Sequence, residues 1–329
     1  MRKLVLLFLL VFAAITAVYV AKVGVIPSFT QSKNASAKQF GGHTMVGPLQ
    51  KVLVRKPDAA FGSADPQRWH YTARPDLEEA QNEHQKIVDI LKSEGVEVVY
   101  HDMPLADHAD AIFVHDPVIM TDYGAIILRM GKELRKGEEA AIRDKLISLN
   151  IPVLCELKDG ATAEGGDMLW IDEHTLAIGR GFRTNQAGIN QIRDALAPHN
   201  IHVLQVELPY DQGPAACLHL QSLISFVDHK VAVVYPKYLP VSFVEFLTER
   251  HIQLVEVPDS EYATMATNIL AIKPKVVLMI EGNYRTMDLL KAVGCHVYTY
   301  KGNEISHKAE GGATCLTRPI LREVESQVS

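Results

Sequence analysis

From Lys51 onward the chain alternates short apolar runs with amphipathic stretches, and the alternation repeats. An apolar run, a turn and a second apolar run recur as Ala111–Met120 with Ala125–Leu128, Met168–Ile171 with Thr175–Gly179, Leu218–Val227 with Val231–Tyr235, and Ile269–Ile272 with Val276–Ile280. Between these pairs, Glu138–Ser148, Gln186–Leu196, Val241–His251 and Tyr284–Val293 read as helices. Each helix is followed by a short strand: Ile151–Leu154, Ile201–Gln205, Gln253–Val257 or His296–Tyr300. A strand at Lys51–Arg55, a helix at Leu77–Lys92 stopped by Gly95, and a strand at Val96–Tyr100 precede the repeats. Units of about three strands and one helix are too long for a helical solenoid and fit a closed ring of like units. The opening strand has no hairpin partner and the closing one, Ala313–Arg318, has nothing after it, so pairing the two would close the ring.

Polar residues interrupt the apolar runs at matching places. Asp116, Asp167, His219, Asn268 and Cys315 are separated by 51, 52, 49 and 47 residues. In a ring, such positions converge on one axis. Asp110 to Pro117 supplies Asp110, His115 and Asp116; Glu164-Gly165-Gly166-Asp167 supplies two acids around a double glycine; His219 lies in Cys217-Leu218-His219-Leu220-Gln221-Ser222; and Cys315 follows Glu310-Gly311-Gly312. Each has a plainer reading: a turn feeding a hairpin, a hydrogen-bonded core histidine, a strand broken by Pro117, a small buried thiol. The regular spacing speaks against several separate accidents.

A thiol, an imidazole and several carboxylates in one pocket define a reaction type. A cysteine becomes a nucleophile only as thiolate and needs a cationic neighbour, either His219 or a bound cation. Acyl transfer calls for oxyanion donors, which carboxylates oppose. Carboxylates suit a planar cation instead, because a guanidinium presents paired N–H donors to them. The residues therefore point to attack of Cys315 on an amidine carbon, protonation of the departing amine by His219, a thiouronium-like intermediate, and its release by water or a second amine.

Composition changes the picture at one end only. With 329 residues and 47% hydrophobic content the chain can bury an ordinary globular core. Arg2 and Lys3, the apolar run Leu4–Ala21 and Lys22 read as a signal anchor over residues 1–22, or alternatively a cleaved signal peptide. The expected result is a membrane-anchored, extracytoplasmic or lumenal body, or a secreted or periplasmic one after cleavage. Residues 23–43 read as a flexible tether, with Asn34-Ala35-Ser36 a possible glycosylation acceptor, and 44–329 as one catalytic domain. Without the three positive charges of residues 1–22 the formal net charge falls from −6 to −9, which suits a small cationic partner and not nucleic acid. Four widely spaced cysteines match no compact framework, so at most one disulfide is expected and Cys315 is expected free.

Glu164-Gly165-Gly166-Asp167, Arg183-Thr184-Asn185-Gln186, His219-Leu220-Gln221-Ser222 and Gly311 to Cys315 together resemble the guanidino-group-modifying, or pentein, superfamily. Among its members the dimethylargininases are most similar, with arginine deiminases and amidinotransferases as relatives, over about residues 45–320. The resemblance implies a single-domain, five-bladed, pseudo-symmetric α/β propeller without a cofactor or a metal, hydrolysing arginine or a substituted arginine. It implies Cys315 as nucleophile, His219 as general acid/base and Glu164 as the carboxylate orienting it, with Gly165, Gly166 and Asp167 in support. Asp116 matches the acid that grips the guanidinium, Asp110 and Glu310 further substrate-binding acids, and Arg135 and Arg183 the arginines on the substrate carboxylate. The loop Phe61–Pro75 sits where the family has a lid. Two positions depart: His115 stands beside the guanidinium where a carboxylate is common, and Glu310 where aspartate is frequent. The alternatives are an amidinotransferase, a metal-dependent ureohydrolase using the cluster His101, Asp102, His108, Asp110, His115 and Asp116, or a propeller that only binds.

Overall fold

The computed structural model describes residues 38–324 except Ala215. Strand β1 (Leu49–Val54) runs parallel to β2 (Glu97–Tyr100), across the helix Leu77–Ser93. That helix starts on Asp76, whose carboxylate accepts from Glu79 N–H. It buries Ala80, Ile87, Val88 and Leu91 along one face. Each such fully buried aliphatic side chain contributes about 1.5–3 kcal/mol.

Four sheets of one design follow. In each, an antiparallel pair is joined through a crossover helix to a parallel third strand: β3 (Val118–Thr121), β4 (Gly124–Ile127) and β5 (Val153–Glu156); β6 (Met168–Asp172), β7 (Thr175–Arg180) and β8 (His202–Glu207); β9 (Ile224–Asp228), β10 (Val231–Val234) and β11 (Gln253–Glu256); β12 (Leu270–Lys273), β13 (Val276–Ile280) and β14 (His296–Tyr300). The last strand, β15 (Arg318–Arg322), pairs antiparallel with β1, Val52 opposite Pro319. The first and last strands thus share one sheet, and the described residues form five three-stranded sheets.

Helices sit where periodicity put them, at Glu138–Ser148, Gln186–Leu196, Val241–Glu249 and Tyr284–Ala292. Three strands begin later than expected. The runs from Ala111 and Leu218 open with tight turns at Ala109–Ile112 and Leu220–Ser222, and Ala313–Thr317 is a turn feeding β15. Buried apolar residues in these turns pack as densely as strand residues, so hydrophobicity alone does not separate the two.

Two expectations for the N-terminal part change. Residues 38–43, read as tether, belong to the folded body: Gly41 N–H donates to Ile320 O at 2.7 Å, and the His43 ring stacks on Trp170 at 4.1 Å. The membrane-anchored localisation is also corrected. No helix among the described residues is long and apolar enough to cross a membrane, and the signal anchor read over 1–22 lies outside the described residues.

Candidate active site

The turns that precede the antiparallel pairs carry the polar residues. Asp110 lies within Ala109–Ile112, Glu164 caps Gly165–Asp167, His219 caps Leu220–Ser222, Asn268 stands two residues before β12, and Cys315 three before β15. Asp110, Asp116, Arg135, Arg183, His219, Asn268, Glu310 and Cys315 all line one cavity of about 480 Å³.

The glycines here make room for side chains. A Cβ on Gly166 would fall 2.3 Å from His219 Nδ1, and one on Gly312 would fall 2.5 Å from Asn268 Cγ. His219 lies flat against the first, and Asn268 against the second.

His219 Nε2 lies 2.8 Å from Glu164 Oε2. Glu164 Oε1 accepts from the Gly131 and Lys132 N–H at 2.9 and 3.1 Å, and Arg183 Nη1 is 3.6 Å away. Burial alone would raise this carboxyl, but the bond and charge of His219, together with Arg183, hold it below its ordinary value. For His219, burial opposes the charged ring, while Cys217, Asp167 and Glu164 outweigh it and raise its pKa well above the usual value. With Nε2 on Glu164, Nδ1 is the ring nitrogen that the carboxylate leaves unengaged. Asp167 braces the pair from behind, accepting from Leu220 N–H at 3.0 Å and Thr184 Oγ1 at 2.6 Å, and burial raises it to about 6.

Cys315 Sγ receives the Asn268 Nδ2–H at 3.1 Å, and Thr314 N–H fixes that amide by donating to Asn268 Oδ1 at 3.0 Å. Burial and Asp116 push the thiol up to about 11, against the pull of Asn268 and His219. Without a further cation the sulfur stays protonated at neutral pH.

Two expected substrate ligands have other tasks. His115 is buried outside the catalytic cavity: Nδ1–H donates to Thr317 O at 2.8 Å, and Nε2 accepts from Gln221 at 3.1 Å. Burial, then Arg318, lower its pKa to about 3, so it is a neutral structural link to the turn holding Cys315. Arg135 lines the cavity, but four of its five N–H donors are engaged: Nη1 by Asp116 at 2.6 Å, Nη2 by Phe113 O at 2.9 Å, and Nε and Nη2 by Glu138 at 3.1 and 2.8 Å. It holds Asp116 in place. Arg135 and its partner Glu138 are both buried.

Asp110 accepts from Tyr71 Oη at 2.7 Å and Lys132 Nζ at 2.6 Å, which ties it to the segment read as a lid. That segment forms two short helices, Ala59–Gly62 and Pro66–Trp69, and Lys132 Nζ lies 5.3 Å from the Trp69 ring centroid. Glu310 lines the cavity with positive φ, its carboxyl raised by partial burial that Lys132 and His70 only partly offset.

Cys217 carries a role the sequence did not flag. Its thiol lies 3.6 Å from His219 Nδ1, and all four cysteines are free. A cysteine two residues before a histidine was the available signal. Glu164, Cys217 and His219 bring donor atoms within 4.8 Å of one another, a set that could hold a metal ion. The His/Asp cluster from His101 to Asp116 does not converge: Asp102 pairs with Lys145, and His108 bonds the carbonyls of Ala106 and Lys136.

Residues 63–322 match the family model described as "N,N dimethylarginine dimethylhydrolase, eukaryotic". Among curated proteins, the chain is 29% identical over 272 residues to an N(G),N(G)-dimethylarginine dimethylaminohydrolase of Streptomyces coelicolor, covering 82% of this chain and 96% of that one. It is 26% identical over 269 residues to the enzyme of that name in Pseudomonas aeruginosa, covering 82% and 98%. A crystal structure of a mutant of the Pseudomonas aeruginosa enzyme complexed with citrulline is similar in fold, with TM-score 0.68, 24% identity, and 82% and 99% of the two chains covered. So is an amidinotransferase from Microseira wollei, with TM-score 0.70, 16% identity, and 87% and 98% covered. At these identities the two structures speak for the α/β propeller fold alone.

Proposed function

This chain belongs to the N,N-dimethylarginine dimethylhydrolase family, within the guanidino-group-modifying (pentein) superfamily, and is a hydrolase of C–N bonds in linear amidines; on that premise we propose that Cys315 and His219 act on the guanidino group of arginine or an N-substituted arginine. The observation that supports this best is a single cavity lined by a thiol, an imidazole backed by a carboxylate, and three acids. Asp116, anchored by Arg135 and Gly166 N–H, presents its remaining lone pairs to the guanidinium. Glu310, which lines the same cavity, adds a further acid. Arg183, held among the described residues by long contacts to Glu164 at 3.6 Å and Ala216 O at 3.4 Å, is the arginine available to a substrate carboxylate.

The raised thiol gives the cation a catalytic part. A guanidinium docked beside Sγ stabilises the thiolate, whose proton leaves to water. Sulfur adds to the guanidinium carbon, and the C–N bond to the departing amine breaks as His219 protonates that amine. The thiouronium carbon then takes a water whose proton passes to His219, the S–C bond breaks, and a ureido product leaves with the thiol restored. Asn268 holds the sulfur throughout.

The test is to incubate the full chain with arginine, N-methylated arginines and agmatine, and to assay ureido product and released amine, with Cys315→Ser as control. Turnover of an arginine by the parent and none by the variant is expected. No turnover of any guanidine, or equal turnover by the variant, overturns the proposal. Preference for agmatine would overturn the part given to Arg183.

A further inference from the structure

Strand β15 turns Arg318, Ile320 and Arg322 to one buried face, because strand side chains alternate. Both guanidiniums are buried, 6% and 3% exposed, and arginine does not give up its proton in a protein. Two positive charges therefore lie inside the fold. Arg322 donates to the carbonyls of Gly47 and Ala271 at 2.7 Å each, and Arg318 to the carbonyl of His115. Carbonyls satisfy N–H groups but carry no net charge. Asp116 is near enough to act on Arg318 electrostatically, but its hydrogen bonds run to Arg135 and Gly166 N–H, and it makes no ion pair with Arg318 among the described residues. Arg318 Nε–H has no acceptor among the described residues.

The two arginines line a second cavity of about 30 Å³, apart from the catalytic one, with Gly41, Gly42, Thr44 and Trp170. No acidic residue lines it, whereas the catalytic cavity has Asp110, Asp116 and Glu310. The Thr44 oxygen accepts from Val46 and Gly47 N–H at 3.2 and 3.0 Å, so its own hydrogen can turn to a ligand. His115 reaches the cavity as a neutral ring with both nitrogens engaged.

We propose that this cavity binds a monovalent anion of halide size, chloride in solution, between Arg318 and Arg322. A water would satisfy the Nε–H but bring no negative charge to the two buried guanidiniums, whereas an anion answers both demands. The volume admits about one or two water-sized bodies, which suits chloride and excludes sulfate or phosphate. Burial pushes both arginines down to about 9; Asp116 offsets this only in part for Arg318, and burial is the one cause for Arg322. The site spans β15 and the segment 41–44, so the anion strengthens ring closure and does not take part in the chemistry.

The test uses the full chain at fixed ionic strength, with gluconate replaced stepwise by chloride or bromide. Melting temperature should rise with halide by about 2–4 °C per tenfold increase above the dissociation constant. In a Trp69→Phe background, which leaves Trp170 as the single tryptophan, bromide should quench emission over the same range. Bromide-soaked crystals should show an anomalous peak beside Arg318 Nε. Arg318→Met should abolish the melting response and Arg318→Lys should keep part of it. If the Met variant does not fold, the peak in the parent decides. No halide increment over gluconate together with no peak there overturns the proposal and leaves the cavity to water. A peak beside Arg183 alone overturns it too, since the increment would then come from the catalytic cavity.

Discussion

Asn268 Nδ2 lies 3.1 Å from Cys315 Sγ, and the amide cannot flip without losing the Thr314 N–H at 3.0 Å on its other end. A hydrogen bond to a charged group contributes about 1.5–3 kcal/mol, or one to two pKa units. Asn268→Ala should therefore raise the thiol further and lower kcat by about 10- to 100-fold. Asn268→Asp, which replaces a donor by an anion, should cost more. The pH dependence of iodoacetamide alkylation reports the thiol directly, and an unmoved profile in Asn268→Ala would remove this role.

Cys217 raises the pKa of His219, so Cys217→Ser should lower it. The alkaline limb of the rate profile, where the imidazolium is lost, should move to lower pH while activity at pH 6 stays within severalfold. An unchanged limb would mean that the 3.6 Å contact has no influence on the acid.

Arg135 is tied to Asp116 and Glu138, and removing one partner of a buried ion pair costs about 3–5 kcal/mol. Arg135→Gln should thus lower the melting temperature by several degrees. Arg183→Gln should raise KM for arginine and leave melting nearly unchanged. The reverse pattern would exchange the two assignments.

His115 is neutral and buried, with its pKa depressed to about 3 from an ordinary value of 6.5. The unfolded chain then binds more protons across that window, so the stability His115 contributes is whole above pH 6.5 and is lost as pH falls toward 3. The slope is at most ~1.4 kcal/mol per pH unit for this one group. His115→Gln should flatten urea-denaturation stability plotted between pH 7 and 4, and a curve parallel to the parent would show that the ring titrates freely.

The sequence made the ring legible because each unit repeats one solution: a polar residue in the turn before an antiparallel pair, then a helix of regular period. It placed Asp116, His219, Asn268 and Cys315 in register for that reason. It did not separate turn from strand at Ala111, Leu218 or Ala313, where the turn residues are themselves buried. Arg135 and His115 are engaged in ways the sequence did not show, on a different ground. A charged or titratable residue shows in the sequence, but its partner does not, and Glu138, Thr317 and Gln221 decide what each can still bind. Cys217 was overlooked because its meaning lies in the loop that folds it onto His219.

The pairing of β1 with β15 joins the two ends of the described fold, so it has an order in time. Cys315 and the strand that closes the circle follow the other cavity-lining residues in the chain, so they are the last of these parts to be made. Gly41 and Leu49 must wait unpaired until residues 318–322 arrive, separated from them by nearly the whole domain. Contacts of such sequence separation form slowly. A chain truncated before β15 would keep Cys315 but lose the closing strand that follows its turn.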